Sequence, residues 1–144
     1  MIYWDTSCVV KLYTHESDSG LWEKLAISAE DGLVASALLR VELAYAFEQK
    51  EARGDLSPAA SQALLALFDH DVAKGRIQLI PIGSDVLQAA CRIAVACYHD
   101  EDSVPLRTLD GIHLATATLL KCRRIATADV RMKAASAILG LCLV

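Results

Sequence analysis

Four acidic residues, Asp5, Glu42, Asp110 and Asp129, carry the chemistry that residue type and spacing suggest in this chain. Asp5 directly follows the apolar run Ile2-Tyr3-Trp4, and Asp129 follows Arg124-Ile125-Ala126-Thr127. Each falls just beyond the carboxyl end of an expected strand, where open α/β sheets bind their ligands. Asp110 begins an expected helix with no clear strand before it. Glu42 shares a helical stripe with Leu38 and Tyr45, a face that reads as apolar. Glutamate is almost never fully buried without a partner, so that placement asks for an explanation.

Each acid also has a plainer reading. An aspartate at a helix start is the ordinary N-cap or first-turn anion, which covers Asp110 and Asp129. Glu42 can pair with a base such as Arg40 or Lys11. Asp5 is harder to explain this way, because Thr6 or Ser7 can serve as the cap of the helix that follows. If the four converge, a cation is required. Two unit charges 4 Å apart repel by ~4 kcal/mol at an effective dielectric near 20, and such a cluster cannot ionise fully unless something neutralises it. Oxygen-only ligands favour Mg²⁺ or Mn²⁺ over zinc.

Other chemistry fits less well. His15, His70, His99 and His113 form no HExxH-like spacing, and His113, one turn after Asp110 and able to bond it, reads as structural. No GxGxxG, GxxxxGK[ST] or GxSxG motif occurs, and nothing supports a Cys8–His nucleophile. Lys11, Arg107, Arg131 and Lys133 can reach phosphates from near the expected site, although each alone reads as a solvated charge.

The elements that must position these acids alternate. Strands are expected over 2–4, 33–36, 77–82, 124–127 and 141–144. Helices are expected after Ser7, over 18–29, over 37–53 closed by Gly54, and from Ser57-Pro58 to 74 with serine as N-cap and proline at N1. Further helices follow over 84–98 with Ser84 as cap, over 111–121, and from Asp129. Pro81 marks an edge strand or a strand end. Residues 99–109, with Asp100, Glu101 and Asp102, read as a polar loop, and 104–106 as a doubtful strand. Strands alternating with helices of ten or more residues imply an α/β fold with a mostly parallel central sheet flanked by helices.

The chain has 144 residues, 54% hydrophobic and 22% charged, which excludes disorder and suits one domain over 1–144. Its 14 basic and 18 acidic residues give a net charge of −4, which excludes a general basic nucleic-acid coat. It leaves open a nucleic-acid enzyme whose metal ions supply the local positive charge. The start lacks a basic n-region, and no apolar run approaches the ~20 residues of a membrane span, so a cytoplasmic protein is expected. Cys8, Cys91, Cys97, Cys122 and Cys142 form no CxxC pair and read as free thiols buried as small hydrophobes.

Four segments together resemble a PIN domain, most closely the VapC-type toxins of toxin–antitoxin pairs. They are Asp5-Thr6-Ser7 followed by Val9-Val10-Lys11-Leu12-Tyr13; Ser36 through Glu42; Leu106 through Ala117, containing Thr108-Leu109-Asp110; and Ile125 through Met132, containing Thr127-Ala128-Asp129. Their order and the chain length make the match specific. Gly111 is a mild departure, since the family often has alanine there; it costs up to ~1 kcal/mol in a helix and touches no ligand. The resemblance implies a three-layer fold and a metal-dependent endoribonuclease using one or two Mg²⁺ or Mn²⁺ ions. It implies Asp5, Glu42, Asp110 and Asp129 as catalytic and metal-binding acids, with Ser7 and Thr127 as their hydrogen-bonding neighbours. It also implies an RNA substrate, a cognate antitoxin that plugs the site, and a homodimer.

Two other readings stay open at this point. One is a catalytically silent interaction module whose acids are caps and surface charges. The other is an acidic-pocket phosphatase of flavodoxin-like shape, against which the absence of a DxD after the first strand counts.

Overall fold

The computed structural model describes residues 1–29, 32–99 and 103–144. In chain order the elements are β1 (Ile2–Trp4), α1 (Thr6–Tyr13), α2 (Ser19–Ser28), β2 (Leu33–Ser36), α3 (Leu38–Ala52), α4 (Ala60–Ala73), β3 (Ile77–Ile80), α5 (Ser84–His99), α6 (Thr108–Leu119), β4 (Arg124–Ala126), α7 (Val130–Ile138) and β5 (Cys142–Leu143). The strands form one parallel sheet in the order β3-β2-β1-β4-β5. This is the expected α/β architecture.

Strand β1 sits at the centre and shows why both faces need covering. Its side chains alternate: Ile2 and Trp4 enter one core and Tyr3 enters the other. The first core gathers Leu39, Leu43 and Phe47 of α3, Phe68 of α4, and Trp22 of α2. Tyr13 meets Phe47 and Phe68 edge-on, with ring centroids 6.2 and 6.0 Å away. Both phenylalanines are fully buried, so truncating either to alanine costs about 3–5 kcal/mol. The second core is built from α5, α6 and α7, with Val86, Ile93, Leu114 and Met132. Helices on both faces leave parallel β1, β2 and β4 with largely buried, near-continuously apolar sequences.

Several boundaries differ from the sequence reading, for identifiable reasons. Helix α4 starts at Ala60, and neither Ser57 nor Pro58 opens it. Ala59 takes a left-handed conformation (φ 65°), and the cap comes from the preceding helix: the Glu51 carboxylate accepts from Ala59 N at 3.0 Å and Ser61 N at 2.8 Å. Helix α6 begins at Thr108, so Asp110 lies in its first turn. Ser84 is itself the first residue of α5, and 104–106 joins no strand. Strand β3 is an edge strand that stops at Ile80, as Pro81 suggested. Gly54 closes α3 with φ 82°, where a Cβ would be strained. Asp100, Glu101 and Asp102 lie outside the described residues. The cysteines divide: Cys8, Cys97 and Cys122 are buried, whereas Cys91, on the outer face of α5, and Cys142, on edge strand β5, are exposed. Among the described residues, no helix is long and apolar enough to cross a membrane.

Candidate active site

The carboxyl ends of β1 and β4 lie side by side, because Trp4 registers with Ala126. Asp5 N extends that ladder with a 3.0 Å bond to Ala126 O, which brings the two post-strand loops together. Asp5 caps α1 from extended backbone, and its buried Oδ2 accepts from Ser7 N at 3.4 Å, Ser7 Oγ at 2.5 Å and Thr127 Oγ1 at 2.9 Å. The cap is therefore Asp5, and Ser7 supports it. Ser7 Oγ also reaches the loop after β4, accepting from Ala128 N at 2.9 Å, while within that loop Thr127 Oγ1 accepts from Asp129 N at 3.1 Å. Asp129 caps α7, its Oδ1 accepting from Arg131 N at 2.8 Å and Met132 N at 3.1 Å.

Asp110 enters from α6, with Oδ2 accepting from Arg107 N at 3.3 Å. Burial first, then the charges of Asp129 and Asp5, push its carboxyl above the ordinary range, only partly offset by the Arg107 N–H. Asp5 and Asp129 thus stand near enough to Asp110 for their charges to act on its carboxyl.

Glu42 enters from α3. The buried face of that helix is Leu39, Leu43 and Phe47, and Tyr45 is 77% exposed, so the Leu38–Tyr45 stripe is not the core face. Neither suggested base serves Glu42: Arg40 grips Asp69 with bonds of 2.8 and 2.9 Å, and Lys11 bonds Asp18 at 2.6 Å. Instead, Oε2 accepts from Thr6 Oγ1 and, at 2.6 Å, from His113 Nε2. Burial pushes the Glu42 carboxyl up, but the His113 bond and charge, helped by Thr6, hold it below its ordinary value. Burial favours neutral His113, yet the Glu42 bond and the charges of Glu42, Asp5 and Asp110 raise its pKa. His113 bonds Glu42 and not Asp110, the neighbour that helical spacing suggested.

The four acids share one arrangement. Every hydrogen bond that a described residue gives each carboxylate lands on a single oxygen: Asp5 Oδ2, Glu42 Oε2, Asp110 Oδ2 and Asp129 Oδ1. The second oxygen of each takes no hydrogen bond from a described residue. Among the described residues, no three His, Cys, Asp or Glu side chains stand close enough to close around an ion. Fixed carboxylates with one oxygen to spare fit a hydrated hard cation such as Mg²⁺, which keeps several waters and takes few protein ligands. They do not fit a closed zinc shell.

Sequence spacing missed Thr6, whose hydroxyl bonds Glu42, and Tyr3, whose hydroxyl bonds the His113 that holds Glu42. Thr6 stands directly after Asp5, the only signal it offered; Tyr3 reads simply as strand core. Of the basic residues, Arg107 stands beside Asp110, while Lys11 is committed to Asp18 and, at 3.8 Å, to Glu16. A groove of about 860 Å³ beside the amino ends of β2 and β3 contains none of these acids.

A parallel sheet with acids at its carboxyl edge is an α/β domain of the class that binds its ligands beyond the strand ends. The PIN domain family matches residues 2–138, and the chain belongs to it. Ribonuclease VapC46 of Mycobacterium tuberculosis is 32% identical over 145 aligned positions, covering 99% of this chain and 95% of that protein. Among solved structures, Mycobacterium tuberculosis VapC20, described as a Sarcin-Ricin loop cleaving toxin, superposes with a TM-score of 0.70 at 18% identity, covering 94% of this chain and 95% of that one. VapBC2 from Rickettsia felis, bound to a DNA fragment from its promoter, gives 0.68 at 17% identity, covering 100% and 98%. These last two likenesses speak for the fold.

Proposed function

We propose that this chain is a divalent-metal-dependent endoribonuclease, the toxin of a toxin–antitoxin pair, with Asp5, Glu42, Asp110 and Asp129 as its metal-holding acids. The observation that carries the reading is the single spare oxygen on each of these carboxylates. Near full-length identity to a ribonuclease supports RNA as the substrate.

Held by Asp5, Glu42, Asp110 and Asp129, one or two Mg²⁺ or Mn²⁺ ions would supply charge neutralisation toward the scissile phosphate and acidity to the attacking water. The protein's part is to hold the ligands still. Ser7 and Thr127 fix Asp5; the α7 backbone fixes Asp129; Thr6 and His113 fix Glu42. Asp110 is the least tethered acid, and repulsion from Asp5 and Asp129 primes the pocket for a cation. Arg107 beside it is suited to a flanking phosphate. Unstacked bases in single-stranded or looped RNA are the accessible targets.

The protein works in the cytoplasm as a homodimer, with a cognate antitoxin that plugs the acidic site. Exposed Val41, Tyr45 and Leu109, bordering Glu42 in a groove of about 600 Å³, support a protein partner there. The test is incubation of the purified chain with structured RNA. Cleavage with Mg²⁺ or Mn²⁺, stopped by chelator and by the protein encoded beside it, supports the proposal. Undiminished cleavage in excess chelator refutes metal dependence.

A further inference from the structure

His113 is fully buried, yet both of its ring nitrogens are committed to side chains on other elements. Nε2 bonds Glu42 Oε2 at 2.6 Å, and Nδ1 lies 2.6 Å from Tyr3 Oη. The Tyr3 hydroxyl is itself anchored, accepting from the backbone N–H of Ser36 at 2.9 Å. The Tyr3 and His113 rings meet edge-on, with centroids 5.9 Å apart, so the imidazole cannot turn without disturbing the core. The line of bonds starts at the end of β2, crosses β1 through Tyr3, passes through α6 at His113, and ends on Glu42 of α3. Its far end is the only part that meets the site: the Glu42 side chain is 20% exposed, against 1% for His113.

We infer that His113, braced by Tyr3, is a positioning residue that sets Glu42 as a ligand for the divalent ion. Glutamate is long and flexible, and α3 alone fixes only its Cα. Two donors from different elements, Thr6 Oγ1 of α1 and His113 Nε2 of α6, both land on Oε2. They fix the carboxylate plane and leave Oε1 for the ligand. Outer partners of this kind tune metal affinity without touching the metal. A histidine needed only for packing has no reason to spend a charged hydrogen bond on the one acid that lines the pocket from α3. The inference rests on Glu42 being a metal ligand, as proposed above.

The experiment titrates the full chain with Mn²⁺ alone, without RNA, reading the rise in melting temperature to obtain a half-saturating concentration. His113→Leu fills the space and removes both bonds; His113→Gln retains one donor and one acceptor; Tyr3→Phe keeps the ring and removes only the bridging hydroxyl. His113→Leu should raise the half-saturating Mn²⁺ about tenfold or more, His113→Gln should recover most of the loss, and Tyr3→Phe should fall between them. In RNA cleavage, the same variants should need more Mn²⁺ while the KM for RNA stays near wild type. Should His113→Leu fail to fold, Tyr3→Phe and His113→Gln decide the matter by the same rank order. Glu42→Gln is the reference. If Glu42→Gln loses the Mn²⁺ response while the folded His113 and Tyr3 variants stay within about twofold of wild type, the positioning role is overturned and the ligand role stands. If Glu42→Gln itself keeps the wild-type response, the ligand role fails and takes this inference with it.

Discussion

The Thr127 hydroxyl donates to Asp5 Oδ2 at 2.9 Å across 122 residues of sequence, tying the loop after β4 to the loop after β1. The same hydroxyl accepts from Asp129 N, so one side chain orders two of the acids. Thr127→Val keeps the shape, deletes the donor and leaves the partly buried Asp129 N–H without its acceptor. It should cost about 1–3 kcal/mol in denaturant melts and should lower cleavage. Thr127→Ser should restore most of both.

Asp110→Asn should raise the melting temperature of the metal-free protein by a few degrees. The sign follows from the carboxyl being held above its ordinary range by burial and by Asp129 and Asp5. A raised carboxyl pKa means that ionisation at neutral pH opposes folding, and the amide removes that charge. The same variant should lose the Mn²⁺-induced rise. Melting curves with and without Mn²⁺ check both halves; a variant less stable than wild type without metal contradicts the crowding.

Glu51 gives the opposite sign. Bonds from the backbone N–H groups of Ser61 and Ala59 hold its carboxyl below the ordinary range. Its stabilising effect is therefore fully present above the unfolded-state pKa and disappears as pH falls through the lower folded value. Glu51→Gln should melt below wild type at neutral pH, and the gap should close in acid. A gap independent of pH would show that charge has no part in this cap.

These two acids mark how far the sequence could be read. Hydrophobic alternation and the glycine stops revealed the parallel sheet, because each depends on residues close in the chain. The four candidate acids stood out because three follow strands or open helices and Glu42 stood oddly on a helix. What fixes them was not legible. The pairing of Glu42 with His113 spans 71 residues, and that of Tyr3 with His113 spans 110; no local period encodes either. The α4 start failed similarly, since its cap, Glu51, belongs to the preceding helix and a Ser-Pro pair offered a nearer candidate.

Thiol labelling of the native protein should find two fast cysteines, Cys91 and Cys142, and three slow ones. Burial, with the charge of Asp5, pushes the Cys8 thiol up to about 12, so that site should react only on unfolding. Time-resolved mass spectrometry after alkylation reads each site separately. Rapid native modification of Cys8, Cys97 or Cys122 would contradict the core packing described.

The most direct test of a metal-loaded carboxylate site is RNA cleavage at saturating Mn²⁺ by wild type and by Asp5→Asn. The amide can still accept the bonds of Ser7 and Thr127, so the local fold is kept while the charge is removed. Wild type should cut and should stop on chelation, and Asp5→Asn should be slower by at least about a hundredfold with near-normal melting. A folded Asp5→Asn protein that cleaves RNA at the wild-type rate would contradict the account.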